Sequence, residues 1–117
     1  MGRTAEEIAL AYERCLAAAG NERFVRLDSS NPGVGYDLEV VGTGGGTGSH
    51  FKAIEVKAWN ENGHCIVSMH EIETLKKLGN LGWIYLVDVK RERVVRMIQN
   101  PFEGSAGLEP LTFKFYY

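Results

Sequence analysis

Cysteine is scarce. The 117 residues hold two, Cys15 and Cys65, which form neither a Cys-x-x-Cys pair nor a disulfide framework. Both fall in apolar surroundings, which predicts core thiols and suits a reducing compartment. Long apolar runs are missing too: no stretch approaches membrane-spanning length, and the opening MGRTAEEIALAYERC places acids where a secretory signal needs an unbroken apolar segment. The expected location is therefore cytoplasmic. A basic excess is also lacking. Thirteen Lys and Arg face fifteen Asp and Glu, a net charge of −2, whereas a stand-alone nucleic-acid binder usually carries surplus cations to neutralise phosphates. If the chain handles DNA, its grip is local or comes from a partner.

What is present belongs to a folded chain: 44% apolar, 24% charged and 10% aromatic residues. A length of 117 residues predicts one domain spanning 1–117. Ile8, Tyr12, Cys15, Leu16 and Ala19 recur at helical spacing, predicting a helix over 4–19 with Gly20 as its stop and Thr4 and Glu7 as a capping box. A short strand over 24–27 leads to a turn-rich stretch over 28–33. Residues 36–41 then alternate, with Tyr36, Leu38 and Val40 toward the core and Asp37 and Glu39 on the other face.

The segment GTGGGTGS over 42–49 has the composition of a phosphate-cradling loop, but it lacks the Gly-Lys-Ser/Thr ending and leads into a strand, so a hairpin connection is expected. That strand, over 51–59, puts Ile54 and Val56 on one face and Glu55 and Lys57 on the other. Beyond a turn at 60–63 comes an extended segment over 65–68. Ser68 then caps a helix over 69–78, with Glu71 at N3 and Ile72, Leu75 and Leu78 as its buried stripe. Residues 83–89 form the most apolar strand, expected to be central; a polar turn at 90–93, a strand over 94–99 and an aromatic edge strand over 111–117 follow. This order predicts a mixed α+β or α/β architecture.

Asp37 and the triplet Glu55-Val56-Lys57 are where chemistry enters. Phosphodiester hydrolysis needs an activated water and stabilisation of the charge that builds on phosphorus, and hard divalent cations held by carboxylates provide both. Mg2+ or Mn2+ suits oxygen ligands. Two residues apart on a strand, Glu55 holds the metal while Lys57 lies near the water or phosphate, the Val56 carbonyl offers a further ligand, and Asp37 reaches the same place if the two strands pair. A Glu-x-Lys alternation alone is also what any half-exposed strand presents to solvent.

The blocks AEEIALAYERCLAAAG, GVGYDLEV, AIEVKAW, and SMHEIE followed by IYLVDV resemble, in order, those of the Mrr-like domain at the C-terminus of NO VEIN proteins, a branch of the PD-(D/E)XK nuclease superfamily. The resemblance runs over about residues 5–89. It implies a restriction-endonuclease-like core, a mixed central sheet flanked by helices, with Asp37, Glu55 and Lys57 matching the superfamily's Asp, Glu and Lys. The helix acid that completes such sites is Glu6 or Glu13; Glu6, in the Gly-Glu-like block, is preferred. Ala5 stands where the family usually has Gly, Ala58 and Trp59 follow the lysine where Thr is common, and the glycine-rich loop is longer.

Other residues carry less. His64, Cys65 and His70 match no ordinary zinc spacing and lack a fourth ligand. Cys15 has no local His partner, and Ser68 and Glu71, which match the family's Ser-x-x-Glu block, are accounted for by helix capping. Lys76, Lys77, Lys90, Arg91 and Arg93 are candidate phosphate contacts, with a solvated basic edge as the default. Two functions compete: a Mg2+-dependent DNA endonuclease of the kind found in restriction or defence systems, working as a homodimer or with a recognition partner; or a nuclease-fold module for nucleic-acid or protein binding without turnover. The aromatic C-terminal strand is the expected dimer contact.

Overall fold

Helical spacing and alternation are realised in a computed structural model that describes residues 2–20, 24–27, 35–42, 50–103 and 112–117. The expected turn over 28–33 and most of the glycine-rich connection lie outside the described residues. Helix α1 (Ala5–Gly20) is followed by β1 (Phe24–Leu27), β2 (Leu38–Gly42), β3 (His50–Ala58), β4 (His64–Ser68), α2 (Met69–Leu78), β5 (Gly82–Asp88), β6 (Arg93–Gln99) and β7 (Thr112–Tyr116). Both predicted helix starts have the predicted chemistry. Thr4 N–H donates to Glu7 and Glu7 N–H to the Thr4 hydroxyl, both at 3.2 Å, and Ser68 and Glu71 exchange the same reciprocal pair at 2.8 and 3.1 Å.

The main sheet has the order β1-β2-β3-β5-β6. Its pairs are antiparallel except β3 and β5, which run parallel with α2 in the crossover between them. The hairpin expected of β2 and β3 is there, with Leu38 opposite Ile54. β5 lies inside the sheet, as its apolar sequence predicts, and Gly82 at its start is packed close under Leu75 of α2. The last strand does not extend this sheet. β7 pairs with β4 in a separate two-stranded sheet, so the two short segments satisfy each other's backbone groups.

Two apolar layers follow from the alternation. Ile54, Val56, Tyr85 and Val87 pack with Leu38 and Val40 against Ile8 and Ala9 of α1. Ile84 and Leu86, one residue out of phase, pack on the other face with Ile72 and Leu75 of α2, Cys65 and Val67 of β4, and Phe102. The mixed sheet is thus flanked by a helix on each face. One expectation is corrected here: Cys15 is exposed, and its neighbour Leu16 is 42% exposed. Of the expected stripe, Ile8 is buried and Tyr12 half-buried, the surroundings of Ala19 lie outside the described residues, and among the described residues Ala9 and Glu13 complete the buried side of α1. Glu13 is drawn in because Lys52 and the Tyr85 hydroxyl both donate to it, and its burial turns Cys15 and Leu16 outward.

Candidate active site

The approach to β2 sets the geometry. Gly35 has φ +87°, a left-handed conformation, and a Cβ added there would lie 2.3 Å from Thr74 Oγ1 of α2. The backbone therefore passes hard against α2 before Asp37 enters the ladder, where its N–H donates to the Ile54 carbonyl at 2.9 Å. Register places Asp37 opposite Glu55, one step beyond the Leu38–Ile54 pair, on the same face of the hairpin. Its side chain turns to the strand itself: Val56 N–H donates to Asp37 Oδ2 at 2.8 Å. Because N–H and C=O of one residue leave an extended strand on the same side, the Val56 carbonyl is directed to this edge as well.

Glu55 is 4% exposed, and Lys57 is half-buried beside it. The Lys57 ammonium lies 3.5 Å from Glu55 Oε1 and 3.0 and 3.2 Å from the two oxygens of Glu71. Glu71 thus does two jobs: it closes the capping box of α2 and grips the lysine. Burial works against the Lys57 charge, yet Glu55 and Glu71 outweigh it and hold the ammonium above its ordinary range. Burial first, then the Glu71 carboxyl and the Asp37 charge, push Glu55 up to about 10, so its neutral form is favoured at pH 7. Burial opposes the Glu71 charge too, but the contact with Glu55, the Ser68 N–H and Lys57 bring Glu71 below the usual carboxylate range. Two carboxyls and one ammonium thus meet within hydrogen-bonding or ion-pair reach.

Helix α1 adds to the crowding. Glu6, in its first turn, is raised by partial burial, by Asp37 and by Glu7, which places it within the field of Asp37. Glu13 goes elsewhere. It is 1% exposed and pairs with Lys52 at 3.0 Å on the opposite face of β3, whereas Glu6 is the helix acid that the Asp37 charge reaches. The structure therefore brings Asp37, Glu55, Val56, Lys57 and Glu6 to one end of the β2–β3 hairpin. It does not bring the histidines there: His64 stacks near Tyr116, with centroids 5.4 Å apart, and His70 is exposed. Lys76, Lys77, Lys90, Arg91 and Arg93 are solvent-exposed.

The chain matches the family model described as Protein NO VEIN, C-terminal, over residues 5–98. It belongs to that family. No curated protein and no solved structure matches it. The family match spans α1 through nearly all of β6 and so contains every residue of the cluster.

The donor set fits a hard divalent cation: carboxylates from Asp37 and Glu55 and a backbone carbonyl from Val56, with no sulfur or imidazole among them. In the present arrangement Glu55 is engaged by Glu71 and Lys57, and among the described residues no three His, Cys, Asp or Glu stand together as a metal-holding group. Glu71 is the residue that sequence reasoning passed over. Its capping role is complete in itself and conceals the second one; the pointers are the Ser-x-x-Glu block and a position on the first turn of the crossover helix leading from β3 to its parallel neighbour.

Proposed function

We propose that this domain is a metal-dependent DNA endonuclease, with Asp37, Glu55 and the Val56 carbonyl holding Mg2+ or Mn2+, Lys57 acting on the attacking water or the scissile phosphate, and Glu6 completing the acidic group. The observation that carries the reading is the convergence, on one edge of a β2–β3 hairpin, of an acid at the strand start and a Glu-x-Lys pair two residues apart. A bound divalent cation would supply a more acidic water and charge stabilisation at phosphorus.

The protein's own groups do the rest. Glu71 orients the Lys57 ammonium through a two-oxygen contact, leaving a short, fixed lever instead of a free four-carbon chain. As negative charge grows on the phosphate oxygens, that ammonium gains an interaction absent from the ground state, which lowers the barrier. Glu55 must surrender its proton before it can serve as an anionic ligand, so cation binding and proton release are linked at this residue. Asp37, anchored by the Val56 N–H, needs less rearrangement.

The competing reading is a nuclease-fold module that binds without turnover. The same contacts favour it to the extent that Lys57 and Glu55 are already engaged with Glu71, and a net charge of −2 offers little general attraction for DNA. Incubation with supercoiled, linear, branched and single-stranded DNA in Mg2+ or Mn2+ separates the two. Cleavage lost in Asp37→Asn and Glu55→Gln is the expected result. Absence of cleavage on every substrate, with calorimetric heats for Mg2+ and Mn2+ identical in wild type and both variants, would overturn the enzyme reading. DNA as substrate, and a homodimer or recognition subunit to supply further grip, belong to this same proposal.

A further inference from the structure

A cleft of about 720 Å³ opens where β3 and β5, the parallel pair, reach their C-terminal ends. Its walls begin at Ala58, the residue after Lys57, and include Trp59, Glu61, Asp88, Val89, Lys90 and Arg91. Trp59 is held in place by its backbone, whose N–H donates to the Val87 carbonyl at 2.8 Å, yet the residue is 38% exposed, as is Val89. A tryptophan fixed at its main chain and open at its ring is a stacking surface. Arg91 lines the same cleft, its backbone N–H donating to Asp88 Oδ1 at 3.2 Å and its solvent-exposed side chain 3.9 Å from Asp88 Oδ2.

The charges indicate what fits. Lys90 and Arg91 are matched by Glu61 and Asp88, so the lining is balanced and does not form the continuous basic track that follows a duplex backbone. An aromatic wall with cations on one side and carboxylate acceptors on the other suits a single nucleotide: its base flat on Trp59 and Val89, its amino or imino edge toward the acids, its phosphate toward Lys90 and Arg91. The volume lies in the range that holds one such group. Ligands of sheets with parallel strands favour this end of the strands.

We propose that this cleft receives one unpaired nucleotide of a DNA strand whose neighbouring phosphodiester lies at Lys57, which makes single-stranded or frayed DNA the favoured substrate form. The inference rests on the nuclease reading for its meaning but is tested without catalysis. In a Trp83→Phe background Trp59 is the sole tryptophan, so its emission reports the cleft; the difference between wild type and Trp59→Phe gives the same signal should Trp83→Phe lower the yield of folded protein. A short oligodeoxythymidylate is titrated in with EDTA present, then a blunt duplex of equal length. The single strand is expected to bind and quench Trp59; with affinity read from the anisotropy of a fluorescein-labelled strand, Trp59→Ala should weaken that binding roughly tenfold or more, while Trp59→Phe retains most of it.

Unchanged emission on addition of the single strand, equal affinity in Trp59→Ala, or equal quenching by the duplex would each overturn the proposal. Metal-dependent cleavage together with a silent Trp59 removes the cleft and leaves the nuclease. Quenching by the single strand with no cleavage in any divalent ion does the reverse.

Discussion

Strand β3 carries two lysines, Lys52 and Lys57, on opposite faces, and each meets buried acid. On the α1 face, Lys52 donates to Glu13 and Tyr85, and its ammonium lies 4.9 Å from the centre of the Trp83 ring. Among the described residues one cation there faces one anion, beside aromatic rings and a phenol. On the α2 face, Lys57 is shared between Glu55 and Glu71, with the charges of Asp37 and then Glu6 close behind. Among the described residues the first cluster pairs one acid with one cation, and the second has more acids than cations. The same strand thus shows how a buried ion pair that serves the fold differs from a charged group left in want of a further positive charge, whether from a proton or a divalent ion.

The comparison breaks most sharply at Lys52. Lys52→Met would leave Glu13 buried without its cationic partner, and a loss of about 3–5 kcal/mol is expected. Denaturant unfolding should show this as a lower midpoint, with any cleavage per folded molecule unaltered. Equal destabilisation by Lys57→Met would erase the distinction between the two clusters.

Next in size is Gly35→Ala. The methyl meets Thr74 in a backbone conformation that disfavours side chains, and a cost of about 1–3 kcal/mol follows. A second change, Thr74→Ala, should recover part of that loss by removing the hydroxyl in conflict, and thermal unfolding of the single and double variants measures the recovery.

A third prediction sharpens the α2-face cluster through pH. Glu55 has an unfolded value near 4.5 and a folded value raised to about 10. The native state therefore holds the proton more tightly than the unfolded chain. Its contribution is complete below about pH 4.5 and falls away as pH rises toward 10. In metal-free buffer the wild type should lose on the order of 1–3 kcal/mol between pH 5 and pH 8 relative to Glu55→Gln, which cannot ionise. Parallel stability profiles for the two proteins would show that Glu55 is not the strained acid. Mg2+ should restore part of the wild-type loss at pH 8 by binding the native state, and little in Glu55→Gln.

The smallest effect on stability is expected from Glu71→Gln, which keeps a side chain able to close the capping box while removing the charge that grips Lys57. The melting temperature should move by about 1 kcal/mol equivalent or less, whereas cleavage should fall and its pH profile shift. Ser68→Ala is the converse: helix stability drops by about 1 kcal/mol with the lysine contact intact.

Much of this was legible because it depends on near neighbours. The two capping boxes, the alternation of β2 and β3, and the apolar run of β5 are written in residues two to seven apart, where backbone geometry alone dictates which side chains meet. The hairpin that sets Asp37 opposite Glu55 follows from two adjacent alternating strands. That Asp37, Glu55 and Lys57 come together on one face was readable for the same reason. Glu71 was not, since one role visible in local sequence concealed another that exists only across 14 positions of chain. Cys15 was misread because helical spacing identifies a stripe without saying which neighbouring stripe will find partners.

The sequence by itself determined where helices start, which strand residues share a face, and that one β-hairpin carries an acid and a Glu-x-Lys pair. Only the tertiary structure decided the rotation of α1, which buries Glu13 against Lys52 and Tyr85 and leaves Glu6 beside Asp37. It also decided the pairing of β4 with β7 and the reach of Glu71 to Lys57. The physical reason is common to all three: local geometry sets the direction of a side chain from its own backbone, but a buried charge or an unpaired strand edge settles only where a partner from a distant segment removes the cost of leaving water.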